Sequence, residues 1–195
     1  MCLGIQANKV KIGVLLAYLC SKIEDINLRK LIKLVFLIDE AYVEENGYPL
    51  TWMDYYVWEK GPVAPEIYNI KNNGGIFSNY VKTVKKTNDG KHYVYPASGF
   101  DIEGGLAEFG EYHLEVIDSI IQKYGHLSAD ELSDVTHTED SIWSIAVKDN
   151  KLDFKNAGKT DIKLDLITLI KGDSDKYNAY LDALENIQFT AALNP

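Results

Sequence analysis

Between Leu28 and Tyr68 the chain reads LRKLIKLVFLIDEAYVEENGYPLTWMDYYVWEKGPVAPEIY, and this stretch limits the possible folds more than any other. Leu28, Leu31, Ile32, Val35, Ile38 and Tyr42 recur at three- and four-residue spacing, which predicts a helix buried along one stripe. Leu34 and Phe36 widen the stripe, as expected of a central helix rather than a peripheral one. Asn27 is placed to cap it, and it should run to about Glu45. Beyond Gly47-Tyr48-Pro49-Leu50, residues 52–58 have the aromatic content of a strand. Trp52, Asp54, Tyr56 and Trp58 would lie on one face, with Met53, Tyr55 and Val57 on the other. Gly61 and Pro62 should end that strand, since proline donates nothing to a ladder. Pro65 suits the first turn of a further helix, which should stop at Asn72-Asn73-Gly74-Gly75.

The rest of the chain is mainly helical in pattern. Residues 9–23 predict a helix with Val10, Val14, Leu15, Tyr18 and Leu19 on one face. Residues 80–86 and 91–95 flank Asn88-Asp89-Gly90 as a hairpin. Residues 106–124 read as one long amphipathic helix, and Ser128 opens a shorter one with Glu131 placed for a capping box. Residues 140–147 suggest another, capped by Thr136 or Thr138. After a polar loop containing Asn156-Ala157-Gly158, residues 162–170 fit helix and strand equally. Residues 173–187 read as a last helix with Tyr177, Tyr180, Leu181 and Leu184 inward. The expected fold is α+β: a mostly helical single domain over 1–195, with residues 28–42 the most buried helix. A small antiparallel sheet should be made by residues 52–58 and the 80–95 hairpin.

Charge is distributed unevenly. The net charge is −9, yet residues 1–97 hold 12 Lys/Arg against 10 Asp/Glu. Residues 98–147 hold 11 carboxylates and only Lys123, so this segment carries the negative balance. Such a chain repels a phosphate backbone, and binding to nucleic acid by counterion release has no general support. The basic cluster Lys82, Lys85, Lys86 and Lys91 brackets a hairpin and is too small to reverse that. No apolar run reaches the ~18–20 residues of a membrane span, and residues 10–20 run on without a small-residue cleavage site. Cys2 and Cys20 are too few for a disulfide framework and fit reduced thiols, so the cytoplasm is the expected compartment.

Motifs for catalysis are sparse. Neither cysteine has a basic neighbour in sequence, no serine sits in a nucleophile elbow, and the glycine pairs at 74–75 and 104–105 make no phosphate-binding loop. His137-Thr138-Glu139-Asp140 is the one place where an imidazole adjoins carboxylates. A metal-assisted hydrolase using His137, Glu139 and Asp140 is therefore the enzymatic alternative, although neighbouring residues on an extended segment point apart. The simpler expectation is that His137 packs or hydrogen-bonds locally. No enzyme and no cofactor is the reading preferred.

Two surfaces suit a protein partner. Nine of the 22 aromatic residues fall between Tyr42 and Tyr80, and tyrosine and tryptophan dominate binding hot spots. Glu108, Glu111, Glu115 and Asp118 share helical spacing with no interleaved lysine, so they form either a solvated face or a steering surface for a basic partner.

The motif order Leu31, Lys33 and Leu34 in a helix, Gly47-x-Pro49-Leu50 in a turn, then Trp58-x-x-Gly61-Pro62-Val63-x-Pro65-Glu66-x-Tyr68 resembles the Panacea domain of SocA-like antitoxins. A second piece, residues 132–139 with Thr136, His137 and Glu139 followed by Trp143, matches as well, so the matching core spans about 27–147. Tyr55-Tyr56-Val57-Trp58 stands where an alanine-tryptophan pair is more usual, and nothing after Ile145 matches. The resemblance implies a mostly helical cytoplasmic protein, often encoded beside a toxin on a prophage or mobile element. It implies neutralisation of a cognate protein toxin by direct contact, and in one branch delivery of the toxin to a bacterial protease. Trp58, Lys60, Gly61, Pro62, Val63 and Tyr68 are the expected partner-binding residues, with Glu108, Glu111, Glu115 and Asp118 as the second surface. A regulatory protein of a mobile element with no toxin partner is the other alternative. Oligomeric state is not legible in the sequence.

Overall fold

The spacing of apolar residues on both sides of Asn27 generates a pair of buried N-terminal helices around which everything else is placed. The computed structural model describes residues 8–155 and 157–193; Cys2 and Asn156 lie outside them. Helix α1 (Lys9–Lys22) is capped by the Asn8 side chain, which accepts from the Lys11 N–H. It is buried without interruption from Ile12 to Cys20 rather than along one face, and Val10, expected inward, lies exposed in its first turn. Helix α2 (Leu28–Asn46) starts at Asn27, whose side chain accepts from the Lys30 N–H, and ends at Gly47 in the left-handed region. Its stripe is buried as expected, Leu31, Leu34, Val35 and Ile38 being wholly covered.

Residues 52–58 depart from the expected strand. Only Tyr56–Trp58 forms strand β1. Upstream, the chain is fastened to α2 instead: the Thr51 N–H donates to the Asp39 carboxylate at 2.8 Å, the Thr51 hydroxyl donates to it as well, and the Tyr55 hydroxyl does so at 2.7 Å. Trp52 takes a left-handed conformation, φ 56°, and no regular ladder can pass through it. The in-and-out alternation nevertheless survives, with Met53, Tyr55 and Val57 buried and Trp52, Asp54, Tyr56 and Trp58 outward.

Gly61 and Pro62 do not end the sheet; they begin its second strand. Gly61 has φ 102°, which lets the chain reverse after Glu59 and Lys60 so that β2 (Gly61–Val63) pairs antiparallel with β1, Trp58 opposite Gly61 and Tyr56 opposite Val63. The hairpin β3 (Val81–Lys85) and β4 (His92–Pro96) therefore forms a separate sheet rather than joining residues 52–58. It docks elsewhere, the Val94 N–H donating to the Ile26 carbonyl. Residues 162–170 resolve into two short pieces. Lys163 bridges to Tyr56, and Leu166–Ile170 forms a 3-10 turn.

Pro65 opens the short helix α3 (Pro65–Tyr68), with Pro at its start as expected. The long helix expected over 106–124 is broken. A one-turn helix α4 (Ile102–Gly105) is followed by a 3-10 turn, Leu106–Glu108, before α5 (Glu111–Tyr124). Phe109 turns extended there and is buried, so burying one aromatic ring overrides helical continuity. Helix α6 (Ala129–Thr136) has the expected Ser128–Glu131 capping box. Helix α7 (Ile142–Asp149) is capped by Ser141, not by Thr136 or Thr138. Thr136 instead closes α6, its hydroxyl donating to the Ser133 carbonyl. Helix α8 (Ser174–Leu193) leaves Tyr177 and Leu181 largely exposed, contrary to their expected inward placement. One apolar cluster runs from Ile12 through α2, β1, α5 and α6 to Ile170. The chain is thus α+β and mostly helical, and among the described residues no helix is long and apolar enough to cross a membrane.

Candidate functional site

The Gly61 turn sits over the N-terminal half of α2, and the side chain beneath it is a lysine. Lys33 lies between Ile32 and Leu34 on the buried face and is itself 1% exposed. Its ammonium donates to the Pro62 carbonyl at 3.3 Å. Burial, aided by the nearby Arg29 charge, pulls the Lys33 pKa from its ordinary value down to about 7. A methyl group placed on Gly61 would stand 2.0 Å from Lys33 Nζ and 2.9 Å from both His137 Nε2 and Thr136 Oγ1. Only a glycine fits where three polar groups converge.

His137 approaches this point from the C-cap of α6. Its ring stacks on Trp143 at 3.7 Å, and the Trp143 indole N–H donates to the Trp58 carbonyl at 2.9 Å. The Ser144 hydroxyl donates to the His137 carbonyl. His137 Nε2 is buried without a hydrogen-bond partner. Burial and then the Lys33 charge depress its pKa to about 4, so it is neutral at ordinary pH. Glu139 and Asp140 are exposed, and Glu139 pairs with Lys148. The imidazole faces the interior and the two carboxylates face water, so the triplet suggested for metal-assisted hydrolysis is not brought together. Among the described residues no group of His, Cys, Asp and Glu is arranged to hold a metal.

Outside this junction lies a hollow of about 810 Å³. Leu28, Ile32 and Val63 form its apolar floor, and Trp58 and Tyr68 one wall. Those two rings meet edge to face at 4.8 Å. The ammonium of Lys159 stands 4.4 Å over Trp58 and 4.5 Å over Tyr68, and that of Lys71 stands 3.7 Å over Tyr68. These ammonium groups, Lys71 first, hold the Tyr68 hydroxyl below the usual phenol range. The lining carries Arg29, Lys33, Lys60, Lys71, Lys91 and Lys159 against one carboxylate, Glu59.

The expected partner-binding residues divide accordingly. Trp58, Lys60, Val63 and Tyr68 line the hollow, with Lys60 on the exposed lip, while Gly61 and Pro62 are buried scaffold. Trp58 is half-buried, not a core residue. Leu31, Leu34, Pro49 and Leu50 are buried in support of α2 and the turn after it. The acidic set lies elsewhere: Glu111, Glu115 and Asp118 share helical spacing on α5 and are exposed, whereas Glu108 is not on that helix. Glu108 sits on the 3-10 turn before α5 and lines another hollow, near Tyr80 and Phe100. Asp118 accepts from the Tyr18 hydroxyl at 2.8 Å. Glu111 and Glu115 are exposed on α5.

Sequence reasoning missed Arg29, Lys71 and Lys159. Lys71 closes the 3-10 turn that continues α3, one turn beyond Tyr68, a spacing that could have flagged it. Nothing local points to Lys159, which arrives because the Glu59 N–H donates to the Gly158 carbonyl and the Thr160 hydroxyl donates to the Val57 carbonyl.

Among known families, the model described as antitoxin SocA-like, Panacea domain matches residues 31–144, more than half of the chain. That span contains α2 from Leu31 onward, the Gly61 turn, α6 and the start of α7, so it covers the whole Lys33–Gly61–His137 junction but not Lys159. No curated protein and no solved structure matches the chain.

Proposed function

The chain belongs to the SocA-like Panacea antitoxin family, and on that premise we propose that it acts by binding, neutralising a cognate protein toxin by direct contact within a toxin–antitoxin system. The contact surface is the hollow beside the Gly61 turn, with Trp58, Lys60, Val63 and Tyr68 meeting the partner. The observation that carries this reading is the junction beneath the turn, where Lys33, Gly61 and His137 converge inside the matched span. A buried, closely packed platform holding aromatic and cationic side chains at its edge is how a rigid recognition surface is built. The family's antitoxin character also makes catalysis unnecessary to the role. The cytoplasm, a single domain over the whole chain, and a gene location on a prophage or mobile element belong to the same proposal.

Co-expression of the chain with the product of the adjacent gene tests it: growth arrest by the neighbour alone and recovery when both are present is the expected result. A neighbour that is harmless, or one whose toxicity the chain does not relieve, overturns the reading. Occlusion and proteolytic delivery differ in one observable. The toxin's half-life shortens in the presence of this chain only if a protease receives it.

A further inference from the structure

The hollow is positively charged on a chain of net charge −9. Its cations come from separate parts of the chain: Arg29 and Lys33 from α2, Lys60 from the turn, Lys71 after α3, Lys91 beside β4 and Lys159 from the loop beyond α7. Arg29 is engaged by Asp130 at 2.6 Å and Lys60 touches Glu59 at 3.9 Å. Lys33, Lys71 and Lys159 have no carboxylate within ion-pair distance among the described residues. Converging like charges raises the energy of the free protein, and an incoming anion relieves it.

Two of these cations are already positioned. Lys71 and Lys159 rest on the faces of Tyr68 and Trp58, a geometry in which the ring quadrupole attracts the ammonium. Less side-chain freedom then remains to be lost on binding. Leu28, Ile32 and Val63 in the same lining are apolar, and a volume of about 810 Å³ falls within the range of ligand clefts.

We propose that this hollow receives an acidic segment of the partner protein, in which an apolar or aromatic side chain enters over Leu28, Ile32 and Val63 while flanking carboxylates meet Lys71, Lys159 and Lys60. This rests on the toxin-binding reading, and it names the chemistry the toxin presents. A lining that combines several cations with apolar residues suits a segment that carries carboxylates beside a hydrophobic residue. A nucleic acid would also satisfy the lysines, but it would bring its phosphates against a strongly acidic molecule. The acidic peptide is therefore the favoured occupant.

The test is fluorescence polarisation of the full chain with fluorescein-labelled peptides that carry Leu, Phe, Tyr or Trp between paired aspartates. The controls are the same peptides with asparagine for aspartate, and a short labelled oligothymidylate. The expected result is binding of at least one acidic peptide about tenfold tighter than its amide counterpart. The double variant K71E/K159E should lose about tenfold or more in affinity with its melting transition unchanged. The inference is overturned by failure of every acidic peptide to bind, by equal binding of the amide forms, by tighter binding of the oligothymidylate, or by K71E/K159E binding like wild type. The rescue assay separates this from the broader reading. If K71E/K159E neutralises the toxin as well as wild type, the acidic-segment inference fails while neutralisation stands. If acidic peptides bind as described but no toxic neighbour is rescued, neutralisation fails and the anionic specificity of the hollow stands.

Discussion

Around the Gly61 turn, positive charge is carried by Lys33, buried under the Pro62 carbonyl, and by Lys71 and Lys159 at the rim, resting on aromatic faces. On α5, negative charge is carried by Glu111 and Glu115, which project into water from a helix whose other face is buried through Val116, Ile117 and Ile120. Each region is dominated by one sign, but only the first has a charged group, Lys33, buried in the fold. A solvated ridge can change its charge with little effect on packing. The buried part of the turn cannot, because Lys33, which contributes to its electrostatics, also ties α2 to β2. This difference predicts that substitutions of the buried groups, Gly61 and Lys33, move stability and binding together, whereas those at Lys60, Lys71 and Lys159 on the rim and those on α5 move binding at most.

Gly61→Ala is the largest expected disruption. The added methyl would stand 2.0 Å from Lys33 Nζ at a backbone φ of 102°, combining backbone strain with overpacking. The expected loss is ~2–6 kcal/mol, measured by urea denaturation and accompanied by loss of rescue. A variant as stable as wild type would mean that the turn is not fastened to Lys33.

Lys33→Met separates charge from packing through pH. The folded pKa of Lys33, about 7, lies below its ordinary value of 10.5, so between those limits the unfolded chain holds more protons than the folded one. Stability of the wild type therefore rises with pH across about 7 to about 10.5 and carries its full penalty below about 7. That penalty is at most ~5 kcal/mol at one pKa unit per 1.36 kcal/mol. Urea titrations from pH 6 to pH 9 should show Lys33→Met more stable at the acid end, with the advantage shrinking as pH rises. A constant difference across that range would show that Lys33 is not buried as a destabilised cation. Asp39, whose pKa burial raises to about 6 against the pull of its hydrogen bonds, acts below this window and cancels in the comparison.

Trp58→Ala comes third. The ring is half-buried, so its loss should cost ~1–3 kcal/mol rather than the ~3–5 of a core aromatic. Removing the surface on which Lys159 rests should also weaken partner binding more than the stability loss accounts for. Thermal melts alongside rescue at permissive temperature distinguish the two effects. A rescue defect that disappears once stability is restored by a distant substitution would reduce Trp58 to scaffold.

Much of this arrangement is written locally in the chain. The Asn27 and Ser128 caps, the Asn88-Asp89-Gly90 hairpin and the apolar stripe of α2 depend on residues within a turn or two of one another. The features that escape are those decided by distant groups. Residues 52–55 have strand composition, but the Asp39 carboxylate claims Thr51 and Tyr55 and takes the backbone out of register. The 106–124 pattern is helical, but burial of Phe109 breaks it. Lys33 stands out in sequence only as the lysine of a motif. Its burial becomes visible once Gly61 lies over it. Lys159 reaches Trp58 across about a hundred residues of chain through one backbone pairing and one bond from the Thr160 hydroxyl, which periodicity cannot foresee.

The smallest expected effects compare the two surfaces directly. Lys60 is exposed at the lip of the turn, and its backbone carbonyl, which the Ser133 hydroxyl approaches at 3.3 Å, survives any side-chain change. Lys60→Ala should therefore alter stability by no more than ~0.5 kcal/mol, as should the pair Glu111→Gln and Glu115→Gln on α5. Their consequences for binding diverge. Losing a rim charge complementary to the partner slows association and weakens its dependence on salt, so Lys60→Ala should lower the association rate severalfold at low ionic strength, with the difference fading as salt is added. The α5 pair should leave that rate unchanged if the partner presents carboxylates to the turn. Stopped-flow association with the rescued toxin at two salt concentrations reads both. A slower rate for the α5 pair together with a wild-type rate for Lys60→Ala would transfer the binding surface from the turn to α5, because only the surface that faces the partner can steer it.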